Sequence, residues 1–135
     1  MRAMATLMLA AMLAPPAARA AGDDPLGAYR WTSRVLVVSA PDAGDARLRA
    51  QRAAVASART GAGERDLVVL EAVGPGAQAE ALRRRLGLAR DTFRAVLVGK
   101  DGGTKLTSGE PIPPGSLFAT IDAMPMRRDE MRGRR

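Results

Sequence analysis

Phe93–Leu106, FRAVLVGKDGGTKL, reads as a buried strand, a tight glycine turn and a returning strand. Phe93–Val98 is apolar apart from Arg94, as expected of a central strand covered on both faces. Lys100-Asp101-Gly102-Gly103 supplies the Asp-Gly hairpin cue, with glycine where the backbone must reach positive φ. Thr104–Thr107 is more polar and predicts an edge strand. Lys100 and Asp101 read as turn chemistry and solubility, with an ion pair or a partner contact as the functional alternative.

Upstream of the hairpin, Arg34–Ala40, RVLVVSA, is a second run suited to a strand buried on both faces. Asp45, or else Asp42, is placed to cap the helix that follows. The spacing predicts that helix over Ala46–Arg59, with Leu48, Val55, Ala54 and Ala58 inward and Arg47, Arg49, Gln51 and Arg52 outward. Thr60-Gly61-Ala62-Gly63 is expected to stop it. Asp66–Val73 is a further buried strand, and Gly74-Pro75-Gly76 a loop without the Gly-Lys-Ser/Thr of a phosphate cradle. Ala77–Leu86 predicts a helix with Ala79, Leu82 and Leu86 on one stripe, a Glu80–Arg84 pair, and Gly87 as its C-cap.

Downstream, Ser116 is placed to cap a last helix with Leu117, Phe118, Ile121 and Met124 on its face. Pro125 ends or kinks that helix, and Met126 and Met131 continue a short turn. The order is β-α-β-α-β-β-α. Both crossovers are expected to join parallel strands, and the hairpin adds an antiparallel one. The class is therefore α/β, as a thioredoxin-like α/β/α sandwich around a mixed sheet of about four strands.

The first twenty residues read differently. Arg2 gives a positive start, Ala5–Leu13 an apolar run, and Ala18-Arg19-Ala20 a small-residue cleavage pattern. The domain plan is a signal peptide over 1–20, a lead-in over 21–33, the folded domain over 34–131, and a basic disordered tail over 132–135. In the lead-in, Leu26, Tyr29 and Trp31 are expected to anchor the segment against the core, or else to form a ligand platform. Export to the periplasm or the medium follows, with no transmembrane segment after cleavage.

Composition excludes much chemistry. The 135 residues hold no cysteine and no histidine. No thiolate is available for redox work, and no imidazole for a serine triad or a zinc site. No cofactor motif and no metal site are expected. The net charge of +7 falls to +5 on cleavage, with 19 basic residues against 14 acidic. Only Tyr29, Trp31, Phe93 and Phe118 are aromatic, too few for a stacking platform for single-stranded nucleic acid.

Four stretches carry a family resemblance. They are Trp31–Val38 with Ala40-Pro41-Asp42, Arg65–Val69, Leu97–Gly103, and Ile121–Arg128 with Glu130. Together they resemble the domain of unknown function 4174 family over nearly all of the chain after residue 20. The resemblance implies a thioredoxin-like, peroxiredoxin-related fold in exported proteins, with no established activity. In redox relatives the working cysteine follows the first central strand. Here that region is Ser39–Asp45. Those relatives also place a proline before the hairpin, where this chain has Ala89-Arg90-Asp91-Thr92.

Two constellations are candidate sites. Asp42, Asp45 and Arg34 would form a crevice at a strand end, where ligands of open α/β sheets bind. Capping competes with that role, and two carboxylates give too few oxygens for calcium. Asp122, Met124, Met126, Arg127, Arg128 and Glu130 would form a partner surface, since methionine makes adaptable contacts. A helix packed by its methionines, with a solvated charged rim, competes with it. The tail arginines could also touch anionic lipid. The expected function is a non-redox, non-catalytic binding or structural module of the cell envelope, with an envelope protein as its candidate partner. The alternative is a thiol-independent enzyme using Asp42 and Asp45.

Overall fold

The computed structural model describes residues 24–133. Strands β1 (Arg34–Ala40), β2 (Leu67–Val73), β3 (Arg94–Val98) and β4 (Thr104–Ser108) form one sheet in the order β2-β1-β3-β4. β1 and β2 are parallel, while β3 runs antiparallel to both β1 and β4. Helices α1 (Ala46–Ser57) and α2 (Arg59–Glu64) link β1 to β2, and α3 (Ala77–Leu86) links β2 to β3. Helices α4 (Pro114–Asp122) and α5 (Pro125–Gly133) follow β4, and a 3-10 turn, Gly27–Tyr29, precedes β1. The fold is α/β and compatible with a thioredoxin-like sandwich.

Period-two alternation divides the apolar residues between two cores. Leu36, Val38, Ala40, Ala95 and Leu97 face Leu48 of α1, Ala62 of α2 and Leu117 and Ile121 of α4. Val35, Val37, Val96 and Val98 face Ala79 and Leu82 of α3, together with Leu26. β1 is buried along its whole length, which is why RVLVVSA shows no polar face.

The same continuity hides strand direction, and one expectation fails on it. The crossover through α3 delivers β3 antiparallel to β1 rather than parallel. A run buried on both faces fits either direction, so the pattern of Phe93–Val98 could not decide. The hairpin turns where expected, but Gly103 does not take the positive φ expected of it alongside Gly102. Gly102 takes φ +86°, its N–H donates to the Gly99 carbonyl, and a bulge falls between Leu97 and Val98.

Other corrections have local causes. The first helix breaks at Ala58 and resumes as α2, so Gly61 does not stop it. A Cβ on Gly61 would lie 2.7 Å from the Phe118 ring, so this glycine permits close packing of α2 on α4. α4 starts at Pro114, where a missing N–H costs little, and not after Ser116. α5 runs through Gly133, so Arg132 and Gly133 are helical and not part of a tail. Glu80 pairs with Arg83 and Arg90, not Arg84. Leu26 is buried, which joins the lead-in to the domain, but Trp31 is 62% exposed and is part of neither core. The expected signal peptide and Arg134-Arg135 lie outside the described residues.

Gln51 is also corrected, from an outward residue to a buried one. Its amide donates to the Ile112 carbonyl at 3.0 Å, and its carbonyl accepts from the Ile112 N–H at 2.7 Å. It thereby ties the loop before α4 to α1. Gln51→Leu should strand both backbone groups and lower the unfolding free energy by about 2 kcal/mol in urea melts.

Candidate functional site

The sheet has two ends. At the upper end lie the C-terminus of β1 and the start of β3; at the lower end lie the start of β1 and the hairpin turn. The structure therefore separates Arg34 from Asp42 and Asp45. Arg34 opens β1, the aspartates follow its far end, and a seven-residue strand spans about 20 Å. The crevice of those three residues does not assemble.

At the upper end both aspartates are engaged locally. Asp45 accepts from the N–H groups of Arg47 and Leu48, the N-cap arrangement that supplies acceptors for free helix amides. Asp42 accepts from the Gly44 N–H. A depression of about 370 Å³ lies beside Asp45, lined also by Arg47, Asp91 and Arg94. Arg47 is paired there with Glu110, which raises its already high pKa.

The lower end holds an ionic cluster. The Arg34 side chain, 1% exposed, meets Glu130 through two hydrogen bonds of 3.2 Å and donates to the Arg65 carbonyl. Lys100, read from sequence as a solvated turn residue, is buried. It binds Asp66 at 2.9 Å and Glu130 at 2.8 Å. Arg127 and Arg65 share the Asp122 carboxylate, and Arg65 lies over the Phe118 ring at 4.2 Å. Arg127 also donates to the Glu64 carbonyl. These contacts fix α5 to the sheet, since Arg127 is its one fully buried residue among those described.

Beside the cluster is a groove of about 610 Å³. Trp31 and Met126 line it with Met124 and Pro125, and Arg34 and Lys100 reach it from the interior. Among the described residues, Trp31 and Met126 are the large hydrophobic side chains left exposed, and both are here. The backbone is strained at the same place. Trp31 has φ +70°, the left-handed region that bulky residues avoid, and Asp66 has φ +52°, which aspartate tolerates better. A 2.7 Å bond from the Trp31 N–H to the Lys100 carbonyl holds the first. Such strain costs about 1–3 kcal/mol and clusters at working sites.

The profile of the domain of unknown function family DUF4174 matches residues 25–130. The chain belongs to that family. Curated relatives include the sushi repeat-containing protein SRPX of Rattus norvegicus and of Homo sapiens, each 33% identical over 112 residues. The SRPX protein of Mus musculus is 32% identical over the same length. Each match covers 73% of this chain but only 24% of the relative, so the chain spans about a quarter of their length. No solved structure matches significantly.

Within this DUF4174 chain, the predicted partner surface divides. Asp122, Arg127 and Glu130 point into the ionic cluster, Met124 and Met126 line the groove, and Arg128 is exposed. Arg34 belongs with this set. An ion pair at Lys100 was only the alternative to solubility in the sequence, and Asp66 and Arg65 were missed as members. The available signal was the placement of Asp66 and Lys100 directly outside buried strand ends, where a charge needs a partner. No group of three or more acidic, histidine or cysteine residues among those described could hold a metal. No described helix is long and apolar enough to cross a membrane.

Proposed function

We propose that this chain is an exported, thiol-independent binding module of the cell envelope, working through the groove between Trp31 and Met126. The observation that carries the reading is that, among the described residues, both exposed large hydrophobics, Trp31 and Met126, lie at one end of the sheet, with Trp31 itself held at a strained positive φ. Exposed apolar side chains on a rigid, charge-braced frame suit binding. An aromatic held at the surface by a strained backbone is already ordered, which lowers the entropic cost of contact. Arg2, Ala5–Leu13 and Ala18-Arg19-Ala20 support export.

Purified protein should show background rates with thiol and peroxide substrates, and exported material should begin at Ala21. Clear turnover, or an unprocessed N-terminus in the mature fraction, contradicts the reading.

The competing reading, a thiol-independent enzyme at Asp42 and Asp45, has the upper depression in its favour. It would need the Asp45 carboxylate as acid or base while that carboxylate caps α1. Asp45→Asn keeps a capping oxygen and removes the carboxylate. It should leave every functional readout unchanged; loss of function with retained stability would favour the enzyme.

A further inference from the structure

We propose that the lower groove takes a free, single-chain amphiphilic carboxylate, with its chain between Trp31 and Met126 and its head at Arg34 and Lys100. This rests on the reading of the groove as the working face. Its volume of about 610 Å³ falls within the range of about 300–1,000 Å³ that encloses drug-sized ligands. A diacyl lipid is larger than that space. The walls of Trp31, Met124, Pro125 and Met126 are apolar, and thioether side chains adapt to a flexible chain.

The charged lining is Arg34, Lys100 and Lys105 against Asp101 alone. Glu130, Asp66 and Asp101 offset these cations from their own positions, without using every donor. The Arg34 Nε–H is buried and has no acceptor. Lys100 Nζ carries three hydrogens and makes hydrogen bonds to Asp66 and Glu130. A buried guanidinium N–H without a partner is costly, and a carboxylate brought to it would satisfy it. The complementary ligand is therefore anionic at one end and apolar along its length. A cationic or uncharged amphiphile of equal length offers the same chain and no acceptor charge.

Trp31 is the chain's single tryptophan and stands at the groove, so its emission reports occupancy directly. The folded protein is titrated, below micelle-forming concentrations, with dodecanoate, dodecyltrimethylammonium and dodecyl maltoside, and separately with anionic phospholipid vesicles. Dodecanoate should give a saturable blue shift, about tenfold tighter than either other detergent. Met126→Glu should weaken it about tenfold, and Lys105→Glu about fivefold, both at exposed positions that leave the melting temperature near wild type. Equal response to the cationic detergent, response to vesicles alone, or indifference to both substitutions overturns the proposal. If no probe saturates while a photo-cross-linker at position 126 still forms a defined adduct in cells, the ligand class falls and the binding face stands. If both fail, both readings fall.

Discussion

Glu130→Ala should cost about 3 kcal/mol of stability, more than truncation of any other surface-touching charge in the chain. Glu130 is one-fifth exposed, but the partners it neutralises are not: Arg34 is 1% and Lys100 9% exposed. Removing the carboxylate leaves a buried guanidinium without its counter-ion and Lys100 with Asp66 alone. Breaking such a pair typically costs about 3–5 kcal/mol, and access of water to the vacated position argues for the lower end. Glu130→Gln, which keeps the shape, should cost roughly half as much. The double variant Arg34→Met/Glu130→Leu should recover most of the loss, because it removes both charges at once. Urea melts of the wild type, Arg34→Met, Glu130→Leu and the double variant give the coupling energy, expected at about 2 kcal/mol. A loss from Glu130→Ala within experimental error of zero would mean that α5 is held by something other than this cluster.

Acid should dissolve the same cluster. The hydrogen bond from Arg65 holds the Asp122 carboxyl below its ordinary value of 3.8, with a further contribution from Arg127 and some opposition from burial. At Glu130 burial pushes the carboxyl up, but the hydrogen bonds and charges of Arg34 and Lys100 outweigh it and leave it below its ordinary 4.5. A carboxylate depressed in the folded state binds protons more readily when the chain is unfolded. Its stabilisation is whole above the ordinary carboxylate values and is lost as pH falls through the folded-state ones. Stability in urea should therefore be flat near neutrality and decline below about pH 4.5. Glu71 and Asp101, depressed by Arg52 and by the Gly103 N–H respectively, add to the slope. Asp122→Asn/Glu130→Gln should start less stable and lose less on acidification. An unchanged acid slope in that variant would show that other carboxylates carry the effect.

Much of the architecture was legible because it rests on local chemistry. Asp-Gly at 101–102 set the hairpin, Asp45 the start of α1, and Gly87, with φ +68°, the end of α3. What escaped depends on residues distant in sequence. The direction of β3 is invisible in a strand buried on both faces. Gln51 looked like a solvated position on α1 until its partner, Ile112, was brought alongside. Arg34 and Glu130 are 96 residues apart, and neither marks the other. The candidate site was half-legible for the same reason. Its methionines and charges were found in one stretch, Asp122–Glu130, whereas Trp31, Asp66 and Lys100 join them only through the pairing of strands. Arg34 was assigned to the wrong end because position near a strand was read without its polarity.

The central claim is that this domain works through its lower end and not through the depression beside Asp45 at the upper end. A photo-cross-linking residue at position 126, compared in cells with one at position 91 beside the upper depression, tests that most directly. Both sites are exposed, so both variants should fold. The account predicts a defined adduct from position 126, lost on Trp31→Ser, and none from position 91. A defined adduct from position 91 alone would contradict it.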